Sequence, residues 1–144
     1  MTTRQIKTFF VNTSTSNLTT STGSKADTPS FFYKSQTLIR WHINDSSKTG
    51  IDLTGATFEF VIAEDYNATP LVTVSNASFV LADWTASDIT TGKICCRVDF
   101  NVAGILTYID DDAEENAYCS LWATIAGTNY LLTAFICKLK NLIH

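Results

Sequence analysis

From Phe31 onward, short runs in which apolar and polar residues alternate follow one another, with turn-forming residues between them. Alternation with period two marks a strand with one face on a core, and several such runs in series predict an all-β sandwich. In residues 36–43, Ile39, Trp41 and Ile43 face one way and Leu38, Arg40 and His42 the other, before a turn at DSSKTG. In residues 57–63, Phe58, Phe60 and Ile62 alternate with Thr57, Glu59 and Val61. In residues 93–100, Ile94, Cys96, Val98 and Phe100 alternate with Lys93, Cys95, Arg97 and Asp99, so the register is well specified. Weaker strands are expected at 71–75 and 78–82, and a loop at 83–91.

The period then changes. After Asn101, the spacing of Val102, Ile105, Leu106 and Ile109 predicts a short helix with an Asn cap, followed by the acidic loop DDDAEE. Two long strands, 117–125 and 129–139, form a closing hairpin around Ala126-Gly127-Thr128. Cys119, Leu121, Ala123 and Ile125 make one side of its first strand, with Tyr118 and Trp122 on the other. In its second strand, strict alternation sets Leu131, Phe135, Cys137 and Leu139 against Tyr130, Leu132, Ala134 and Ile136. A solitary sandwich needs one apolar face per strand, so the second is expected to lie under the helix, the N-terminal segment or another chain, of which another chain fits best.

At the N-terminus, residues 4–11 read as a strand and 12–30 turn Ser/Thr-rich, a composition that cannot bury apolar surface by itself. The predicted organisation is therefore an extended arm and linker over 1–29 and a sandwich over 30–144. Such an arm either returns to its own sheet or adds to the edge of a neighbouring subunit.

With 144 residues, 45% of them hydrophobic, one core forms without staples. Only 17% of residues are charged, against about 25% in an average soluble domain, which suits close subunit contact. A net charge of −4 and the lack of any Lys/Arg run argue against nucleic acid as a partner. No stretch approaches the roughly 20 apolar residues that span a bilayer, and the apolar cluster Phe9-Phe10-Val11 is too short for a signal core. No membrane is expected, and the chain reads as made in the cytosol, leaving it only inside a larger assembly.

Candidate chemistry is sparse. Cys95, Cys96, Cys119 and Cys137 lack C-x-x-C spacing, and adjacent Cys95 and Cys96 point to opposite faces of a strand. Free, partly buried thiols are favoured over a Cys119–Cys137 cross-strand disulfide, and His42 and His144 offer no zinc cluster. Asp110, Asp111, Asp112, Glu114 and Glu115 could meet a hard cation but lack the spacing and central Gly of a calcium loop, so a solvated loop is favoured. His42 has no nucleophile or orienting carboxylate in its pattern, and the glycines read as turns rather than a phosphate loop. No enzyme activity, catalytic residue, metal or cofactor is expected. Trp84, Tyr108, Tyr118 and Trp122 suit either a sugar-stacking platform or a subunit interface, with the interface favoured. The five Asn-x-Ser/Thr triplets, at Asn12, Asn17, Asn44, Asn67 and Asn76, follow from composition.

The runs FFYKSQTLIRWHINDSSKTGIDLTGATFEFVIAEDYNATPLVTV and TTGKICCRVDF resemble the immunoglobulin-like domains of tailed-phage virion proteins, in particular the N-terminal domain of baseplate upper proteins and related small tail or head-attachment proteins. The likeness covers residues 31–140, and its most specific piece is Asp52-Leu53-Thr54-Gly55-Ala56-Thr57-Phe58, where Leu53 would anchor a loop and Gly55 allow the turn into the next strand. It implies an immunoglobulin-like sandwich in a virion structural subunit of the tail, baseplate, neck or capsid, made in the host cytoplasm. Larger members continue into a coiled coil or receptor-binding domain, and the end at His144 favours a small adaptor or decoration subunit. On this reading the partners are other virion proteins and further copies of the chain, met through Phe9, Phe10 and Val11 of the arm and Tyr118, Trp122 and Tyr130 of the hairpin. The alternative is a carbohydrate-binding adhesion module.

Overall fold

The computed structural model describes residues 3–22, 24–79, 89–109 and 114–141. These form an all-β, immunoglobulin-like sandwich with one short helix. In chain order the elements are β1 (Thr3–Asn12), β2 (Asn17–Thr19), β3 (Ser30–Phe32), β4 (Ser35–Asn44), β5 (Thr57–Ala63), β6 (Pro70–Val74), β7 (Lys93–Asp99), α1 (Ala103–Ile109), β8 (Glu114–Ile125) and β9 (Thr128–Lys140). The first sheet runs β2-β1-β4-β7 and the second β3-β9-β8-β5-β6. Most neighbours are antiparallel, but β1 pairs with β4 and β3 with β9 in parallel.

The expected alternation sets the inner faces. Ile39, Trp41 and Ile43 of β4 and Ile94, Cys96 and Val98 of β7 are buried against Phe58, Phe60 and Ile62 of β5 and Cys119, Leu121 and Ala123 of β8. Aromatic rings join the layers: Trp41 lies 5.1 Å from Phe9, 5.3 Å from Phe60 and 6.3 Å from Phe135, centroid to centroid. Phe31 stacks on Phe100. Edge-to-face and offset contacts of this kind add to the stabilisation from apolar burial alone.

Loop chemistry follows the sequence. The Asp45 carboxylate accepts from the amides of Ser47 and Thr49, closing the DSSKTG turn. Asp52 accepts from the amide and hydroxyl of Thr54, Leu53 is buried, and Gly55 takes φ +80°, so the segment anchors and turns as its pattern implied. Ala126 and Gly127 both have positive φ, the geometry of a two-residue hairpin turn whose twist matches its strands. The helix is shorter than its pattern: Val102 accepts the first amide bonds, from Ile105 and Leu106, so Asn101 lies outside the helix. Ile105 and Ile109 enter the core, while Leu106 stays exposed. The weak strand expected at 78–82 is reduced to a 3-10 turn at Asn76–Ser78 and a single bridge from Phe79 to Cys96, and residues 80–82 lie outside the described residues.

The N-terminal segment corrects the expected division at residue 29. β1 pairs with β4 over the whole length of both strands, Val11 is buried in the core, and Phe9 packs on Phe31, Trp41 and Phe135. The Ser/Thr-rich stretch is tied down as well: β2 buries Leu18, and the Ser16 carbonyl accepts from the Ala134 amide and the Thr133 hydroxyl. The reason is physical, since a strand with apolar residues at 9 and 11 removes more surface from water against the β4 edge than in solution. Deleting residues 1–28 therefore removes a sheet strand and part of the core. Urea denaturation followed by far-ultraviolet circular dichroism should show the truncated chain without a cooperative transition, where the full chain has one.

Candidate functional site

The described residues hold no group of His, Cys, Asp and Glu able to bind a metal ion. Asp110, Asp111 and Asp112 of the acidic run lie outside the described residues. Glu114 opens β8, where its carboxylate sits 3.6 Å from the Lys138 ammonium and 3.8 Å from that of Lys140. Trp84 and His144 likewise fall outside the described residues.

All four cysteines are free and buried. Burial, with a smaller Coulomb contribution from Cys95, drives the Cys96 thiol up to about 12. Burial is also the main cause of the well-raised pKa of Cys119, and contact with Cys137 adds to it. Thiols held this far from the thiolate form are packing groups, neither nucleophiles nor ligands.

His42 lies on the outer face of the first sheet, where its ring stacks on Phe10 at 4.4 Å. Its pKa is lowered, first by burial and then by Lys93. On the same face an open groove of about 590 Å³ is lined by Ile6, Gln36, Leu38, Arg97 and Asp99 among others. Gln5, Thr37 and Val98 complete its lining, which mixes polar, charged and aliphatic groups.

The second sheet presents a different surface. Tyr118 and Trp122 point outward from β8, with Ile136 of β9 opposite Tyr118 and Ala134 opposite the intervening Ser120. A bulge in β9 then changes the parity that strict alternation predicted. Leu121 pairs with Thr133 and Trp122 with Leu131, so Leu132 is the extra residue. Leu132 turns into the core at 7% exposure, and Leu131, at 37%, joins Trp122 on the outer face. Tyr66, from the loop after β5, meets Tyr118 edge to face at 5.5 Å. Between them lies a depression of about 220 Å³ lined by Val61, Ala63, Tyr66, Asn67, Ser120, Trp122 and Leu131 among others. The Trp122 indole N–H donates to the Ser120 hydroxyl at 3.0 Å, which fixes the ring and leaves its apolar edge to solvent.

The six residues expected at an interface are thus divided by the fold. Tyr118 and Trp122 share this surface, and Tyr130 is exposed nearby, opposite Ala123 beyond the bulge. Phe10 lies on the other sheet against His42. Val11 and Phe9 are core residues, because β1 is a strand of the sandwich. The sequence pattern does not mark Tyr66, Leu131 and Ile136 as contact residues, although all three are exposed. A β-bulge leaves no mark in an alternating pattern, and Tyr66 reaches the face from a loop. Tyr108 is half-buried and donates its hydroxyl to the Asn116 carbonyl, so it offers no stacking platform.

No protein-family model and no curated protein matches the sequence. Eight solved chains match by structure. One is the N-terminal domain of phage TP901-1 ORF48, with a TM-score of 0.48 and 10% identity over 95% of this chain and 98% of that one.

The thiol environments give a direct chemical prediction. An aromatic disulfide reagent at pH 8 should label none of the four cysteines of the folded chain on the minutes scale and all four in denaturant. Rapid labelling of the native protein would show that the core packing described here is wrong.

Proposed function

We propose that the chain is a structural subunit of a bacteriophage virion, present in several copies and acting through protein–protein contacts. The observation that carries the contact role is the outer face of β8 and β9, where Tyr66, Trp122, Leu131 and Ile136 are exposed together. Large apolar side chains grouped on one rigid sheet face are what a partner surface buries, and aromatic anchors supply most of the binding energy in such contacts. The virion setting rests on the sequence resemblance around Asp52-Leu53-Thr54-Gly55, a segment that folds as an anchored turn. Copies held at symmetry-related positions would gain avidity from individually modest contacts. No helix among the described residues is long and apolar enough to cross a membrane.

A second reading, glycan binding, draws on the depression beside Trp122, where Asn67 and Ser120 supply polar groups next to two tyrosines. The flanking aliphatic residues Leu131 and Ile136 favour a protein partner, since a sugar platform needs polar donors and acceptors at its rim.

Both readings are tested with Trp122→Ala and Leu131→Asp. Each should lower incorporation into particles at least about tenfold, the ratio produced by ~1.4 kcal/mol, with the thermal unfolding midpoint nearly unchanged. A glycan array should remain blank for the unmodified chain. Undiminished incorporation of both variants would refute the contact role, and sugar binding lost in Trp122→Ala alone would establish the adhesion module instead.

A further inference from the structure

The first sheet has an open edge, and its backbone groups can be assigned by parity. The Leu18 carbonyl accepts from the Ala26 amide, so Leu18 faces away from β1, and the pairs that bond across β1 and β2 are Phe10 with Thr19 and Asn12 with Asn17. Even-numbered residues of β1 therefore direct their N–H and C=O away from β4. The Thr13 amide confirms the phase, because it donates to Asn44 at the end of β4. β2 covers only Phe10, Val11 and Asn12, which leaves residues 3–9 uncovered along that edge. Among the described residues the main-chain groups of Ile6 and Thr8 meet no partner on this side.

Three further facts converge on the same stretch. Ile6 is 64% exposed on the outer face, second only to Tyr66 among the large hydrophobic side chains of the described residues. The Gln5 side-chain oxygen is shielded from solvent with no donor. Lys7, on the same face as Gln5, is part-buried, and the two described ion pairs run from Lys138 and Lys140 to Glu114 without reaching it.

We infer that this edge pairs with the same edge of a second copy of the chain, antiparallel about a two-fold axis at Ile6. With the axis at Ile6, residues 3–9 of each copy lie opposite residues 9–3 of the other, and the strand stops short of the partner's Phe10, where β2 begins its pairing. Edge-facing residues pair only with edge-facing residues, which restricts the register to even with even. Centring on Ile6 joins Ile6 to the partner's Ile6 and Arg4 to the partner's Thr8 through backbone bonds. It also sets each Gln5 opposite the partner's Lys7, where the ammonium can donate to the unpartnered amide oxygen. A shift by two residues toward the C-terminus would oppose the two Lys7 ammonium groups, and a shift the other way would set Gln5 against Gln5 and lose the Lys7 donor, so the Ile6 register is the one that meets the Gln5 oxygen with an ammonium. Burial and the nearby Lys140 already lower the Lys7 pKa, and a neutral acceptor relieves that environment without a carboxylate. The product is a continuous sheet across two sandwiches that covers an edge otherwise open to aggregation. The pairing involves this chain alone and stands apart from its role in a virion.

The full chain should sediment with twice the mass of the 15.9 kDa monomer at high micromolar concentration. Ile6→Pro removes an edge-facing N–H and no bond to β4, and Ile6→Lys places two like charges at the axis. Both should be monomeric with unchanged circular dichroism. Ile6→Cys brings two thiols together at the axis, where bonded antiparallel partners lie about 5.5 Å apart between Cα atoms, within disulfide reach. Under oxidised glutathione it should form a cross-linked dimer, whereas Thr8→Cys, whose partner is Arg4, should not. A monomeric full chain, dimers that survive both Ile6→Pro and Ile6→Lys, or equal cross-linking of the two cysteine variants would each overturn the pairing. Dimers made through the face carrying Trp122 would appear as the second of these results.

Discussion

The fold turns on the Trp41 side chain. It is fully buried at the middle of β4 and touches rings from β1, β5 and β9, so one residue gathers strands of both sheets around it. Truncating a buried aromatic of this size costs about 3–5 kcal/mol, a large share of a domain's net stability. Because Phe9 and Phe135 complete the cluster, the first strand and the last are held in the same core, although more than a hundred residues separate them. Such long-range closure is bought with chain entropy, which the apolar burial has to exceed.

A filled interior gives meaning to what remains outside. The inner faces already contain Phe31, Phe60, Phe100, Leu121 and their neighbours at full burial, so the apolar groups on the far side of β8 and β9 are not spare core residues. The bulge at Leu132 reinforces this arrangement. Thr133 keeps the inward parity of Phe135 and Cys137, where its hydroxyl donates to the Ser16 carbonyl, and the extra residue moves Leu131 to the side of Trp122. One extra residue thus widens the exposed apolar face, next to the point where Thr133 fastens the N-terminal turn to β9. The outer face of the first sheet is more mixed, with Arg40, His42 and Lys93 interleaved among Leu38 and Phe10. The two sheets therefore present surfaces of different chemistry to their surroundings.

Strands with strict alternation were legible in the sequence, because period two alone decides which side chains turn inward. The bounds of β5 agree with its pattern, and β4, β7, β8 and β9 differ from theirs by one to three residues at either end. The short helix was legible from Ile105 and Ile109, but not its start, which depends on which carbonyl accepts the first amide. The anchoring of the N-terminal region is not legible in the sequence because its tether lies in backbone groups. Ser16 and Leu18 act through carbonyls that any residue type would carry, and parallel pairing with β4 leaves no turn between neighbours to read. Of the proposed contact face, Tyr118 and Trp122 could be seen in advance, whereas Leu131 depended on the bulge.

On the proposed function, the outer face of β8 and β9 is bare in the free chain and covered in the assembled particle. Hydroxyl-radical footprinting read by mass spectrometry measures this side chain by side chain. Tyr66, Trp122, Leu131 and Ile136 should label strongly in the isolated protein and be markedly protected in particles, with Trp41 unlabelled in both. Equal labelling of those residues in the two states would contradict it.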